Sequence, residues 1–208
     1  MEPFSSHTGR TVVLRRSNVD TDQIIPAEFG KRISRHGLSD ALFARWRKDP
    51  AFILNSKEHE GATVLIADTN FGTGSSREQA VWALREWGFA VVVSTRFGDI
   101  FHRNALRNGL LAVVLPDEAV ASLMDRAEAD PSFEISVDLT KCEVAAGQDR
   151  WSFSIDERAR WLLLNGLDTI EVTLRDAADI ADYERSRPSW LPEIPRGSGS
   201  TQARAGTR

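Results

Sequence analysis

Between residues 62 and 115 three apolar runs of strand length, at 62–67, 89–94 and 110–115, alternate with two amphipathic stretches of helix length, and nothing else in the chain restricts its fold as tightly. The spacing predicts helices over 75–87 and 99–108, with Gly88 and Gly109 standing where a helix C-terminus takes a left-handed residue. Pro116 breaks the third run ahead of a further helix at 117–129. A βαβαβ series of this kind builds parallel strands with crossover helices, and its ligands are expected at the carboxyl ends of those strands.

The flanking segments read less regularly. An early strand is expected at 11–16, a helix at 38–48, and shorter strands at 133–139, 142–146 and 151–155, the last two joined by a turn at Gly147-Gln148. These shorter strands make a smaller second sheet layer. Asp156 is placed to cap a helix that Asn165-Gly166 ends, and 168–187 reads as mostly helical. One domain is expected over 1–187, and a disordered tail over 188–208, where prolines give way to Gly-Ser-Thr-Ala-Arg composition. Trp82, Trp87 and Trp161 fall on positions that suit buried helix faces.

At 208 residues the chain can bury a sizeable core, and its formal net charge of −4 and pI near 5.6 argue against a general nucleic-acid binder. No apolar run approaches a membrane span, and Met1-Glu2-Pro3-Phe4 lacks the basic and apolar regions of a secretory signal, so the expected location is cytoplasmic. Cys142 is the only cysteine. It forms no intrachain disulfide, cannot supply the thiolates of an iron–sulfur cluster, and reads as structural. His7, His36, His59 and His102 are scattered without metal-ligand spacing and read as surface or structural residues.

The chemistry concentrates at Phe71-Gly72-Thr73-Gly74-Ser75-Ser76-Arg77-Glu78, where a strand, a glycine hinge and a helix start follow one another. Two glycines bring backbone close to a ligand, while two hydroxyls and a guanidinium sit among N–H groups that favour an anion. Ser75 and Glu78 also have the spacing of a capping box. Spacing alone leaves a cap and a cap combined with a ligand site both open, and Arg77 distinguishes them, because a cap needs no arginine. Nucleotide motifs fail: Arg77 occupies the place of the third glycine of a dinucleotide fingerprint, no Gly-Lys-Ser/Thr follows, and Glu78 stands where a nucleophile elbow needs glycine. Lys31, Arg32, Arg35 and His36 lie between Gly30 and Gly37 in a basic loop that is either solvated or meets an acidic substrate.

Four segments occur in order: Asn18-Val19-Asp20-Thr21-Asp22-Gln23-Ile24-Ile25-Pro26, Gly74-Ser75-Ser76-Arg77-Glu78, Arg96-Phe97-Gly98-Asp99-Ile100-Phe101 and Asn165-Gly166-Leu167-Asp168. Together they resemble the small subunits of 3-isopropylmalate dehydratases, the isopropylmalate isomerases of leucine biosynthesis, over about residues 1–190. The resemblance implies an α/β fold, the three-layer β/β/α swivelling domain of aconitases, with the parallel βαβαβ core and the smaller second sheet layer. It also implies a heterodimer with a large subunit carrying a [4Fe–4S] cluster, and a hydro-lyase that converts 2-isopropylmalate into 3-isopropylmalate through an alkene. By the same resemblance Ser75 is the general base, Arg77 holds a substrate carboxylate, Ser76 and Asp22 line the substrate, and Lys31, Arg32 and Arg35 are candidates for its second carboxylate and variable group. This chain supplies no metal ligand. Gln79 and Gly30 depart from the family pattern, where histidine and an aliphatic residue are common. A homoaconitate-type or other 2-hydroxy dicarboxylate substrate, and a non-catalytic assembly or regulatory relative, share these motifs; a substrate panel separates them.

Overall fold

The computed structural model describes residues 1–32, 34, 36–74, 77–188 and 190–191, and the chain divides into two compact units, Met1–Asp168 and Thr169–Arg208. Among the described residues the first unit is built on a seven-stranded sheet in the order β4-β3-β2-β1-β5-β6-β7. Its elements are β1 (Ser6–Leu14), α1 (Thr21–Ile24), β2 (Val64–Ala67), α2 (Glu78–Trp87), β3 (Val91–Ser94), α3 (Asp99–Arg107), β4 (Leu111–Val114), α4 (Asp117–Ala129), β5 (Glu134–Asp138), β6 (Glu143–Ala146), β7 (Asp149–Ser152) and α5 (Glu157–Asn165).

The expected parallel core is present: β1, β2, β3 and β4 run parallel, with α2 and α3 in the crossovers. Strand β1 serves both halves of the sheet. Its residues Thr11 to Leu14 pair in parallel with Val64 to Ala67, whereas Ser6 to Arg10 pair antiparallel with Asp138 to Glu134. The smaller antiparallel layer of β5, β6 and β7 is therefore reached by one strand that changes partners midway. Gly9 lies next to that change, and a Cβ there would meet Thr63 Oγ1 at 1.9 Å, so the backbones approach more closely than a side chain permits.

Alternate residues of the parallel strands feed two cores. Val12, Leu14, Leu65, Ala67 and Val92 pack with Ala80, Leu84 and Phe101 on one face. Val13, Val64, Ile66, Val91 and Val93 pack on the other with Leu123 and Met124 of α4 and with Ile135, Val137 and Val144 of the antiparallel strands. Both faces are covered, which is why these runs are apolar throughout.

Three expectations change. Residues 38–48 form two short 3-10 turns, Ser39–Ala41 and Trp46–Lys48, in place of a helix. Between them Phe43 adopts φ 47°, is fully buried, and donates its N–H to Ile24 O at 2.7 Å, a tertiary bond that a continuous helix would forfeit. Helix α2 starts at Glu78, three residues late, with Arg77 as its N-cap. Trp161 is 42 % exposed, so it does not fill the buried position expected of it. In the second unit α6 (Thr169–Leu174) and α7 (Ala177–Ser186) supply the expected helical stretch. Of the expected tail, Ser189 and 192–208 lie outside the described residues.

Candidate active site

The loops leaving β1, β2 and β3 at their carboxyl ends are sewn together by backbone bonds. Gly72 N and Thr73 N both donate to Val19 O, at 2.7 and 3.1 Å, and Thr21 N donates to Thr73 O at 3.1 Å. On the other flank Phe71 N donates to Arg96 O at 3.0 Å and Gly98 N to Phe71 O at 2.9 Å. The turn after β2 thus sits between the β1 loop and the β3 loop, at the edge where a parallel sheet presents ligands. Gly72 makes this close approach possible: its φ is 74°, and a Cβ there would lie 2.2 Å from Phe101 Cγ.

The β1 loop is held by a capping box not singled out in the sequence. Gln23 N donates to Asp20 Oδ1 at 2.7 Å, and Asp20 N donates to Gln23 Oε1 at 2.9 Å. The signal was available, since Asp20 and Gln23 have the required spacing. The serine of the box expected at Ser75 and Glu78 lies outside the described residues; within them Arg77 is the N-cap, Glu78 is the first helical residue, and its Oε1 accepts from Asn108 Nδ2 at 2.7 Å. Asn108 Oδ1 in turn accepts from Trp82 Nε1 at 2.9 Å, tying α2 to the end of α3.

This framework brings together two of the residues singled out in the sequence. Arg77 Nη1 donates to Asp22 Oδ1 across 55 positions of chain. Their side chains are 28 % and 45 % exposed, so the pair is open enough to exchange partners. Ser75, Ser76 and Arg35 lie outside the described residues. Lys31 is exposed at the end of a 3-10 turn, Ala27–Lys31. Arg32 is committed elsewhere: it grips both oxygens of Asp40, at 2.6 and 2.9 Å, with its guanidinium carbon 4.8 Å from the centre of the Phe29 ring. The Arg32 fork holds the Asp40 carboxyl below its ordinary value. Gln79 Nε2 points to Gly30 O at 3.4 Å, so the two departures from the family pattern meet one another.

Sequence reading gave Arg96 no role, although it lies in a quoted motif. It lines a cavity of about 270 Å³ together with Asn70, Gly72, Thr73, Phe97 and Asp99. That an arginine whose side chain has no hydrogen bond or ion pair among the described residues stands beside the glycine turn is visible only once the β3 loop is placed.

The donor set does not fit an iron–sulfur cluster. Cys142 is the chain's one thiol, half-buried at φ 53° with Sγ 3.5 Å from Leu139 O, and it packs against the second core. His102 is likewise structural, its Nε2 lying 3.2 Å from Ala112 O; burial lowers its pKa more than that carbonyl and Asp99 raise it.

A parallel core whose strand ends hold the glycine turn, joined through β1 to an antiparallel layer, defines the class: residues 1–118 match the family model of the aconitase C-terminal domain, and 121–157 match the one called LeuD_N. The 3-isopropylmalate dehydratase small subunit of Streptomyces coelicolor is 59 % identical over 93 % of this chain and 98 % of its own length. That of Acidothermus cellulolyticus is 57 % identical over 92 % of this chain and 98 % of its own. A crystal structure of 3-isopropylmalate dehydratase from Methanocaldococcus jannaschii, 25 % identical, superposes with a TM-score of 0.64 over 85 % of this chain and 98 % of that one. The chain belongs to the family of 3-isopropylmalate dehydratase small subunits. Among the described residues no helix is long and apolar enough to cross a membrane.

Proposed function

We propose that this chain joins a cluster-bearing large subunit in the cytoplasm as a heterodimeric hydro-lyase that isomerises 2-isopropylmalate to 3-isopropylmalate. The observation that carries the reading is the Arg77–Asp22 pair beside the Gly72–Gly74 turn. A carboxylate already rests on the guanidinium that the family resemblance assigns to substrate, and a substrate carboxylate offers the same fork the same chemistry. Asp22, itself an anion, acts through Arg77, because direct contact with a dianion would be repulsive.

In this reading the Ser75 alkoxide takes the proton from the carbon next to the one bearing the hydroxyl, and the C–O bond breaks as the hydroxyl takes a second proton from an acid group of the large subunit and departs as water. Ser75 returns its proton to the other carbon as water adds back in the opposite orientation and gives its extra proton back to that acid group. Arg77 holds one carboxylate fixed throughout, and Ser76 lines the substrate beside it. A serine is a weak base, so its alkoxide needs the nearby guanidinium and exclusion of water when the subunits close. The [4Fe–4S] cluster is assigned to the large subunit; the single Cys142 leaves this chain no means of holding one.

The test is reconstitution with the large subunit. The pair should interconvert the two isopropylmalates, and this chain alone should not. Ser75→Ala should lower kcat by a factor of roughly 1,000 or more with the melting temperature kept. Near-normal kcat in that variant would remove Ser75 from the chemistry.

A further inference from the structure

We propose that Gly30 widens the space for the substrate's variable group, so that the malate this chain serves carries a 2-alkyl group larger than isopropyl. The inference rests on the dehydratase reading above and changes only the size of the alkyl group.

Gly30 stands where an aliphatic residue is common in the family, and nothing in the fold asks for glycine there. Among the described residues every other glycine has a local reason. Its φ is left-handed, as at Gly37 and Gly74, or a Cβ would strike a neighbour, as at Gly9, Gly72 and Gly98. Gly30 has neither. Its φ lies outside the left-handed region, and a Cβ built on it meets no atom within 4 Å. A glycine of this kind adds freedom to the unfolded chain without relieving strain in the folded one, so what the residue contributes is the open space itself.

That space is held open, because the backbone on both sides of it is anchored. Phe29 packs against the first core, and its N–H donates to Pro26 O at 3.0 Å. Arg32 N donates to Phe29 O at 3.0 Å, and the Arg32 side chain is fixed by both oxygens of Asp40.

The space also belongs to the site, because two segments of chain converge on Gly30. One runs from Asp22 through the buried Ile24, Ile25 and Pro26 into the turn Ala27–Lys31. The other runs from Arg77 into the first turn of α2, where Gln79 Nε2 lies 3.4 Å from Gly30 O. The Arg77–Asp22 pair joins the two segments at their other ends. Gly30 is thus tied from both directions to the guanidinium assigned to a substrate carboxylate. In a 2-alkylmalate the alkyl group stands on the carbon that bears one carboxylate and next to the carbon that bears the other. Whichever carboxylate Arg77 holds, the alkyl group falls within a side chain's length of it. An isobutyl group is itself a leucine side chain, so a substrate enlarged to that size occupies the volume of the aliphatic residue that this chain lacks.

The experiment uses the full chain in complex with its large subunit and compares kcat/KM for 2-isobutylmalate and 2-isopropylmalate. The wild type should use the isobutyl compound at least as well as the isopropyl one. Gly30→Leu should lower the isobutyl-to-isopropyl ratio about tenfold or more, the discrimination that a methylene or two can give in an apolar pocket. Gly30→Ala should lower it by less, in the order of side-chain size. Both variants should keep the wild-type melting temperature, since neither the backbone conformation nor a neighbour opposes a side chain at this position. A wild type that favours 2-isopropylmalate about tenfold or more, or a ratio that Gly30→Leu does not move, would overturn the proposal and leave the dehydratase reading standing. Turnover of neither compound by the wild-type complex would sink that reading and the proposal with it.

Discussion

Arg77 and Asp22 meet although neither is rigid by itself: Arg77 is the uncapped N-cap of α2, and Asp22 lies in a helix of one turn. Their meeting depends on Thr73, whose backbone bonds bind the two loops. Arg77→Lys keeps the charge but loses the planar fork, so one ammonium cannot serve Asp22 and a substrate carboxylate in fixed directions. It should lower kcat/KM about tenfold or more in the reconstituted enzyme, measured by steady-state kinetics. Gly72→Ala acts on packing. A left-handed alanine costs about 1–2 kcal/mol, and a methyl group driven into the Phe101 ring costs about 1–3 kcal/mol more. Chemical denaturation should register the sum, and an unchanged midpoint would mean that the turn relaxes freely. Sequence marked Arg77, Asp22 and the glycines because motif spacing carries their identity. It could not show that Arg77 and Asp22 touch, since their contact spans 55 residues.

Helix α2 does more than present its first turn. Near its other end Glu86 accepts backbone N–H bonds from Gly37 at 2.6 Å, from Leu38, and from Ser39 at 3.0 Å, fastening the far end of the basic loop. Partial burial would raise the Glu86 pKa, but the three N–H donors and nearby His36 outweigh it and hold the value below the ordinary 4.5. A lowered carboxylate pKa means that the unfolded chain binds more protons through this window. The contribution of Glu86 to stability is therefore present above 4.5 and is lost as pH falls through the folded value. Glu86→Gln should melt below the wild type at neutral pH, with the gap closing on acidification. It should also speed amide exchange at Gly37, Leu38 and Ser39, and a gap independent of pH would refute the anchoring role. The basic loop was legible as composition. Its fastening was not, because the acceptor lies 47 to 49 residues away on another element.

Across the whole molecule, both cores are made of residues between Val12 and Leu163. A chain ending at Asp168 should therefore still unfold cooperatively with native near-ultraviolet dichroism; a molten product would show that residues 169–208 are needed to complete the core. The cores themselves follow from patterning. The runs at 62–67, 89–94 and 110–115, with Gly88 and Gly109 at φ 117° and 75°, specify parallel strands and crossover helices by local chemistry alone. Hydrophobic period and left-handed glycines act within a few residues of themselves, so a sequence reader sees them. The division of β1 between two sets of partners, the 3-10 turns around Phe43, the late start of α2 and the bracketing of the β2 turn were decided only by tertiary structure. Each rests on contacts between distant segments: Gly9 against Thr63, Phe43 N on Ile24 O, Asn108 on Glu78, and Val19 O shared by Gly72 and Thr73. Such contacts override local propensity because a buried backbone group must find its partner wherever the packed chain offers one.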